Sequence, residues 1–432
     1  MKTINVGILG FGTVGSGTAE VLVQQAKTLQ QKTDLSIAIK AVADINIDRL
    51  PEAFNATTLT KNVDDIFNDQ SIDIVVELIG GLEPARTFML KAIEAGKHVV
   101  TANKALLSIH GKEIFEAAAR KGVEVGFEAS VGGGIPVIKS LKEGLVANQI
   151  NSIMGIMNGT ANYILSQMSD FGLPFDQVLE DAKQKGYAEA DPTYDIEGID
   201  TAHKLVILMI MAYGINISLD DVTTEGISQI KPIDIEFAKQ FGCRIKLLAI
   251  AKNNGGHYEA RVHPTMVPDD HMLASVNGAY NAIHFNGDMV GNVLFYGKGA
   301  GKMPTGSAVA ADIVDISRNI ANGCINRVPS LSYLPQNIKD CKITPMNEIC
   351  GSYYFRITAL DQPGVLAQIA GILGKNNISI ESVIQKKRHD SKFVPIVIRT
   401  HRAMENEVEK ALSEIDSLEM CTSPTVKIRI LE

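Results

Sequence analysis

The sequence is poor in cysteine and holds no CxxC pair. Cys243, Cys324, Cys341, Cys350 and Cys421 are odd in number and widely spaced, which excludes a paired-cysteine zinc site and a disulfide framework and fits a reducing cytoplasm. Basic charge is also short: 41 Lys and Arg stand against 49 Asp and Glu, a formal net charge of -8, with a pI near 5.7. A nucleic acid or an anionic membrane would want a basic face, so neither is expected as a partner. Long hydrophobic runs are missing too, since the longest apolar stretch, Leu205 to Ala212, is well under the roughly 18 residues that suggest a membrane span. The opening MKTINVGILGFG runs directly into a strand and a glycine turn, without the basic region or cleavage pattern of a secretion signal. No fixed-period repeat or low-complexity tract is present. What is there is an average globular composition, 45% hydrophobic and 21% charged over 432 residues, which predicts a folded chain of two or three domains.

From Ile4 to about Glu128, short Val- and Ile-rich runs alternate with segments of helical period, the pattern of parallel βαβ units. Strands are expected over Ile4 to Leu9, Ile37 to Ala43, Ile74 to Leu78, His98 to Val100 and Val123 to Phe127, with function at their C-terminal ends. Past the glycine-rich run Val131 to Ile135 the pattern changes. Ile150 to Met157 reads as a strand and Ala161 to Met168 as the opening of a helix. Ile199 to Tyr213 is apolar nearly all round from Leu205 onward, which predicts a buried helix. The stretch to about Phe295 is more strand-like, and GKGAGKMPTGSAVAADIVDISRNIA then supplies a glycine loop and a long helix suited to packing back on the first domain. Val328 to Asn347, rich in Pro and polar residues, reads as a linker. Beyond it, Tyr353 to Leu360, Gly364 to Gly374, Ile378 to Gln385, Phe393 to Arg399, Met404 to Ile415 and Val426 to Leu431 follow the order strand, helix, strand, strand, helix, strand of a ferredoxin-like unit.

The first motif is GFGTVG, which sets Gly10, Gly12 and Gly15 in a GxGxxG turn between the first strand and the first helix. One glycine makes the turn, one admits a pyrophosphate, and one lets helix and strand pack closely, while the helix N-terminus supplies amide donors. Asp44 ends the second strand, where a carboxylate can take an adenosine ribose and disfavour a 2′-phosphate. Its bland alternative is a turn cap, and Arg49 lies near enough to meet a phosphate, so the choice of NAD or NADP stays open. Lys104 follows a short strand and sits where a nicotinamide would lie.

A second cluster, KGYAEADPTYDIEGIDTAHKL, gathers Glu189, Asp191, Asp195, Glu197 and Asp200 ahead of Lys204. Asp200 and Lys204 are one helical turn apart beside a buried run, where a charged lysine needs a partner. Read for function, this is a lysine held protonated as a proton donor, with a spare carboxylate for a substrate ammonium. Glu128 opens FEASVGGGIPV, whose loop carbonyls can hold a hard cation or simply form a tight turn. His203 reads as a packing histidine, since no second histidine has metal-ligand spacing.

Together GFGTVG, TANKALL, EASVGGGIP, NGTANYIL, GYAEADPTYDIEGIDTAHKL and GKGAGKMPTGSAV, in that order over residues 1 to 322, resemble homoserine dehydrogenases, and ALDQPGVLAQIAGILGKNNISIESV resembles an ACT domain. The resemblance implies an α/β protein in three parts. These are a Rossmann doubly wound parallel sheet over 1–130 plus about 300–322, an α+β catalytic and dimerisation domain over 131–300, and, after the 328–347 linker, a ferredoxin-like ACT domain over 350–432. It further implies NAD- or NADP-dependent reduction of L-aspartate 4-semialdehyde to L-homoserine on the route to threonine, methionine and isoleucine. By motif position Lys204 resembles the proton donor, Lys104 the second active-site lysine, Glu189 the acid for the substrate amino group, Asp195 and Asp200 further active-site carboxylates, and Gly159 with Thr160 a substrate loop. Phe11, Gly12, Thr13, Val14 and Gly301 resemble dinucleotide contacts. Glu128, Val131, Gly133 and Ile135 resemble a sodium site, three of them through backbone carbonyls. A homodimer or homotetramer in the cytoplasm, with threonine acting on the ACT domain at the turn before Gly364, completes the expectation.

Two rivals fail on residues. A semialdehyde-forming dehydrogenase needs a nucleophilic cysteine, and the first cysteine is Cys243, outside the motif cluster. A noncatalytic redox sensor has no use for the two lysines.

Overall fold

A computed structural model describes residues 1–385 and 393–432. The chain parts into two compact units, each discontinuous in sequence: 1–159 with 200–222 and 280–341, and 160–199 with 223–279 and 342–432.

The first unit is built on a parallel sheet of β1 (Lys2–Leu9), β2 (Leu35–Ala43), β3 (Thr58–Thr60), β4 (Ile74–Glu77), β5 (His98–Thr101) and β6 (Val125–Gly126). Its order is β3-β2-β1-β4-β5-β6, with Ile4 opposite Ile37, Val6 opposite Ile74 and Val99 opposite Val125. Strands covered on both faces must be apolar on both, which is why they are near-continuous Val and Ile runs. The order reverses between β1 and β4, so the crevice for a ligand opens beyond the ends of these strands. Helix Lys302–Asn322 does return to this sheet: Val309, Ile313 and Ile316 share a core with Ile4, Val6 and Ile8. It packs on helix Thr13–Gln24 at a glycine crossing, where a Cβ on Gly306 would overlap the backbone of Gly17.

β7 (Ile150–Ile156) pairs antiparallel with Tyr280–Gly287, which pairs in turn with Gly291–Lys298. Helix Ile199–Tyr213 has the predicted bounds and is buried along nearly its whole length, as its lack of a polar face requires. Part of the stretch read as linker pairs as well, Lys339–Asp340 with Ile215–Asn216.

In the second unit Cys243–Asn253 pairs antiparallel with Tyr258–Pro268, and Val426–Ile430 continues from the latter in parallel, Arg429 opposite Thr265. The sheet runs on through Cys350–Leu360, Phe393–Thr400 and Ile380–Gln385. Helices Val365–Lys375 and Glu405–Asp416 bury Ile369, Leu373, Val408 and Ile415 against Tyr353, Phe355 and Ile357, which completes the predicted ferredoxin-like plan. The stretch expected to be strand-like before Phe295 also contains helix Pro232–Gln240. Its start has a local cause: Pro232 opens it and the Asp234 carboxylate accepts the Lys231 N–H at 3.0 Å.

Candidate active site

The glycine turn joins β1 to helix Thr13–Gln24, and its three glycines meet different demands. Gly10 has φ +89°, and a Cβ there would lie 2.8 Å from the Leu78 carbonyl oxygen. A Cβ on Gly15 would overlap the Gly10 carbonyl. A Cβ on Gly12, the helix N-cap, would meet open space. Two glycines are thus required by the protein's own packing, while the third faces outward beside the amides of Thr13 and Val14, an arrangement that fits a dinucleotide phosphate. Asp44 is turned onto this loop: one oxygen accepts the Phe11 N–H at 2.7 Å and the other the Asn46 N–H at 2.8 Å. Gly301, at φ +119°, caps the returning helix.

Three residues from two distant segments meet in the first unit. Lys104 opens the helix after β5, where Asn103 caps it by accepting the Leu106 N–H at 3.1 Å. Asp200 and Lys204 lie on the first turns of helix Ile199–Tyr213. The Asp200 carboxylate bridges the two lysines, 2.9 Å to Lys104 and 2.7 Å to Lys204. Asn158, just past β7, donates to Asp200 at 2.9 Å, and Lys204 donates to the Met157 carbonyl at 2.6 Å. Asp200 and Lys204 are each 8% exposed, whereas Lys104 is 42% exposed. Burial opposes ionisation of Asp200, but the Lys204 and Lys104 ammonium groups outweigh it and hold the carboxyl well below the usual carboxylate range. The result is a fixed cluster of two cations and one anion. Such a cluster suits stabilising and protonating an oxyanion. Behind it the buried His203 Nδ1 lies 2.6 Å from Ser108 Oγ, which ties the two lysine-bearing helices together, and burial keeps this histidine's pKa down. Asn158, Met157 and Ser108 were not singled out from sequence. Asn158 could have been, since it opens the NGTANYIL motif.

The remaining candidates of the second unit lie at the start of helix Gly159–Phe171 and in the 187–197 segment. Thr160, following Gly159 at the start of helix Gly159–Phe171, donates to the Tyr187 carbonyl at 2.6 Å and so ties the GT motif to the turn that presents the exposed Glu189. Asp195 sits on the short helix Thr193–Ile196, whose start Asp191 secures by accepting from the Thr193 amide at 3.1 Å and hydroxyl at 2.6 Å.

In the first unit the Glu128 carboxylate is buried and accepts the Ile138 and Lys139 amides, each at 2.8 Å, while its own N–H donates to Asp312 at 2.8 Å. The loop after it is tight. Gly132 and Gly133 have φ of +77° and +57°, and the Ile135 carbonyl accepts the Val137 N–H at 2.8 Å. Among the described residues no group of three His, Cys, Asp or Glu side chains is placed to hold a metal.

Residues 10–128 match the profile of the homoserine dehydrogenase NAD binding domain, 136–314 that of homoserine dehydrogenase, and 353–419 that of the ACT domain. A homoserine dehydrogenase of Pseudomonas aeruginosa is 47% identical over 431 residues, covering 100% of this chain and 99% of that protein. The chain belongs to the homoserine dehydrogenase family. Among solved structures, a homoserine dehydrogenase from Thiobacillus denitrificans superposes with a TM-score of 0.94 at 47% identity, covering 100% of this chain and 99% of that one. A hyperthermophilic archaeal homoserine dehydrogenase, solved in complex with NADPH, superposes with a TM-score of 0.63 at 26% identity over 73% of this chain and 98% of that one. Family membership makes the protein an NAD(P)-dependent oxidoreductase of a CH–OH group, with homoserine and aspartate semialdehyde as its substrates. The glycine turn falls within the nucleotide-binding match, and Asp200 and Lys204 within the catalytic one.

Proposed function

We propose that the Lys104–Asp200–Lys204 cluster performs the family reaction, with Lys204 as the proton donor to the aldehyde oxygen. The observation that carries this is the buried bridge of Asp200 between the two lysines. A bound nicotinamide dinucleotide supplies the hydride. Asp200 keeps Lys204 oriented and in its ammonium form, and that ammonium stabilises the alkoxide as it develops and then protonates it. Lys104, more exposed, faces the substrate and nicotinamide. Glu189 takes the substrate ammonium, Asp195 is a further active-site carboxylate, and Gly159 and Thr160 line the substrate loop. Gly10, Phe11, Gly12, Thr13, Val14, Gly15, Asp44 and Gly301 hold the dinucleotide. Asp44 already orders the loop through the Phe11 amide, and either NAD or NADP is accepted in this reading.

Steady-state assay of NAD(P)H oxidation with aspartate semialdehyde tests the assignment. Lys204→Ala is expected to lose about 10²- to 10⁴-fold in kcat with NADPH binding retained by fluorescence titration. Wild-type kcat in that variant would remove Lys204 from the chemistry.

Sodium at the Glu128, Val131, Gly133 and Ile135 loop belongs to the same reading. Three of the four, Val131, Gly133 and Ile135, act through backbone carbonyl oxygens, as a hard cation accepts, and the buried Glu128 carboxylate, held by two amides, completes the set. We further assign the domains as 1–130 with about 300–322 for the nucleotide, 131–300 for catalysis and dimerisation, and 350–432 for regulation. The enzyme works as a homodimer or homotetramer in the cytoplasm on the route to threonine, methionine and isoleucine, with L-threonine inhibiting through the ACT domain. Titrating L-threonine into the wild-type assay checks the last point.

A further inference from the structure

Within the second unit, one charged network runs from the ACT module to the segment that packs on the turn carrying Asp195. Its hub is Arg429 on strand Val426–Ile430, side chain 7% exposed. On one side it grips Glu405, a wholly buried carboxylate at the start of helix Glu405–Asp416, through Nε at 3.0 Å and Nη2 at 2.5 Å. Tyr353 adds a hydroxyl donor to Glu405 at 2.8 Å, and Lys427 a further ion pair. On the other side the same guanidinium forks Glu225, Nη1 to Oε2 and Nη2 to Oε1, both at 2.9 Å. Two parallel charge-assisted bonds fix orientation as well as distance. Glu225 lies outside the ACT module, directly after the short strand Thr223–Thr224 that pairs with Arg261 and Val262.

The chain on either side of Glu225 holds the Asp195 turn. The Ile227 N–H donates to the Ile196 carbonyl at 2.8 Å. Gly226 lies so close to the Glu197 carboxylate that any Cβ there would overlap it. Gly198, at φ +80°, packs against Thr224 and Val262, with methyl carbons 3.1 Å and 3.0 Å from where its Cβ would stand. Residues 196–198 are therefore bound to 224–227 by a backbone hydrogen bond and by close approach, and 225 is bound to the ACT strand by a fork.

We propose that Glu225 is a positioning residue: held by Arg429 of the ACT module, it fixes the 196–198 backbone and through it the placement of the Asp195 carboxylate for substrate. The role rests on the reading of Asp195 as a substrate contact. A fork of this kind transmits a displacement of its strand, because guanidinium and carboxylate match in only one planar arrangement. Any ligand that shifts strand Val426–Ile430 would thus alter substrate affinity.

The test is the full-length enzyme carrying Glu225→Gln, a side chain 40% exposed in the wild type and so replaceable without leaving it buried and unpaired. The expected result is a KM for homoserine raised roughly tenfold, kcat changed by less than about threefold and an unaltered KM for the cofactor, together with faster amide hydrogen exchange at 195–199. Glu225→Asp, which keeps the charge, should recover part of the KM. Wild-type KM and wild-type exchange in Glu225→Gln would overturn the proposal. Asp195→Asn, measured alongside, separates the two layers. If it leaves the homoserine KM unchanged, the substrate role of Asp195 fails and the positioning role of Glu225 falls with it, even where exchange at 195–199 has risen.

Discussion

At the scale of single residues, the site is organised by what each carboxylate is bonded to. Asp200 faces two ammonium groups and an amide donor, and removing its charge leaves two like-charged ammonium groups without the carboxylate that bridges them. Asp200→Asn is therefore expected to cost about 3 kcal/mol at neutral pH, the scale of breaking a buried pair, as read from urea denaturation. The dependence on pH has a definite sign. A carboxyl held low in the folded state contributes its full stability above its unfolded pKa, about 4, and loses it as the pH falls through the folded value. The gap between wild type and variant should hold from pH 7 to about 5 and begin to close only below about 4. A gap that shrinks on raising the pH from 5 to 7 would contradict the bridge. Asp44 and Glu128 carry the opposite lesson, since each has both oxygens on backbone amides of its own unit. Their first task is to shape loops.

At the scale of elements, the turn after β1 separates packing from binding. Gly12→Ala adds a methyl group to open space at a φ of −67°, so the fold should be kept while the backbone face for a phosphate is obstructed. Gly15→Ala drives a Cβ into the Gly10 carbonyl and should cost about 2 kcal/mol or more. Thermal melts with NADPH titration check the contrast: an unchanged melt with weakened cofactor binding for Gly12→Ala, a lowered melt for Gly15→Ala. Equal melts for the two would mean the loop relaxes. The strand and helix positions were largely legible, because Val and Ile runs and a helix apolar on all sides leave a local signature in Ile74–Glu77 or Ile199–Tyr213. Helix Pro232–Gln240 was passed over because its cues, Pro232 and Asp234, act over a single turn inside a stretch otherwise rich in strand formers.

At the scale of the whole molecule, His98, His203 and His263 are all buried, and burial lowers the pKa of each, for His263 well below the usual range. The unfolded chain takes up protons at these sites near pH 6.5 more readily than the folded protein does, so stability is expected to fall as the pH drops from about 7.5 to 5.5. Urea midpoints measured across this range check it, and a flat profile would mean that the histidines are protonated in place. The sequence by itself determined the order of elements in the parallel sheet and in the ferredoxin-like ending, the glycine turn, and the pairing of Asp200 with Lys204, since each is written in residues within a turn or two of one another. Only the tertiary structure decided that Lys104, nearly a hundred residues earlier, shares Asp200 with Lys204, that Asn158 and the Met157 carbonyl complete their bonding, and that Arg429 holds Glu225. Such contacts leave no periodicity in the chain. They follow from which strand ends and helix starts the sheet order brings together, and that order is set by the burial of the whole core rather than by any one segment.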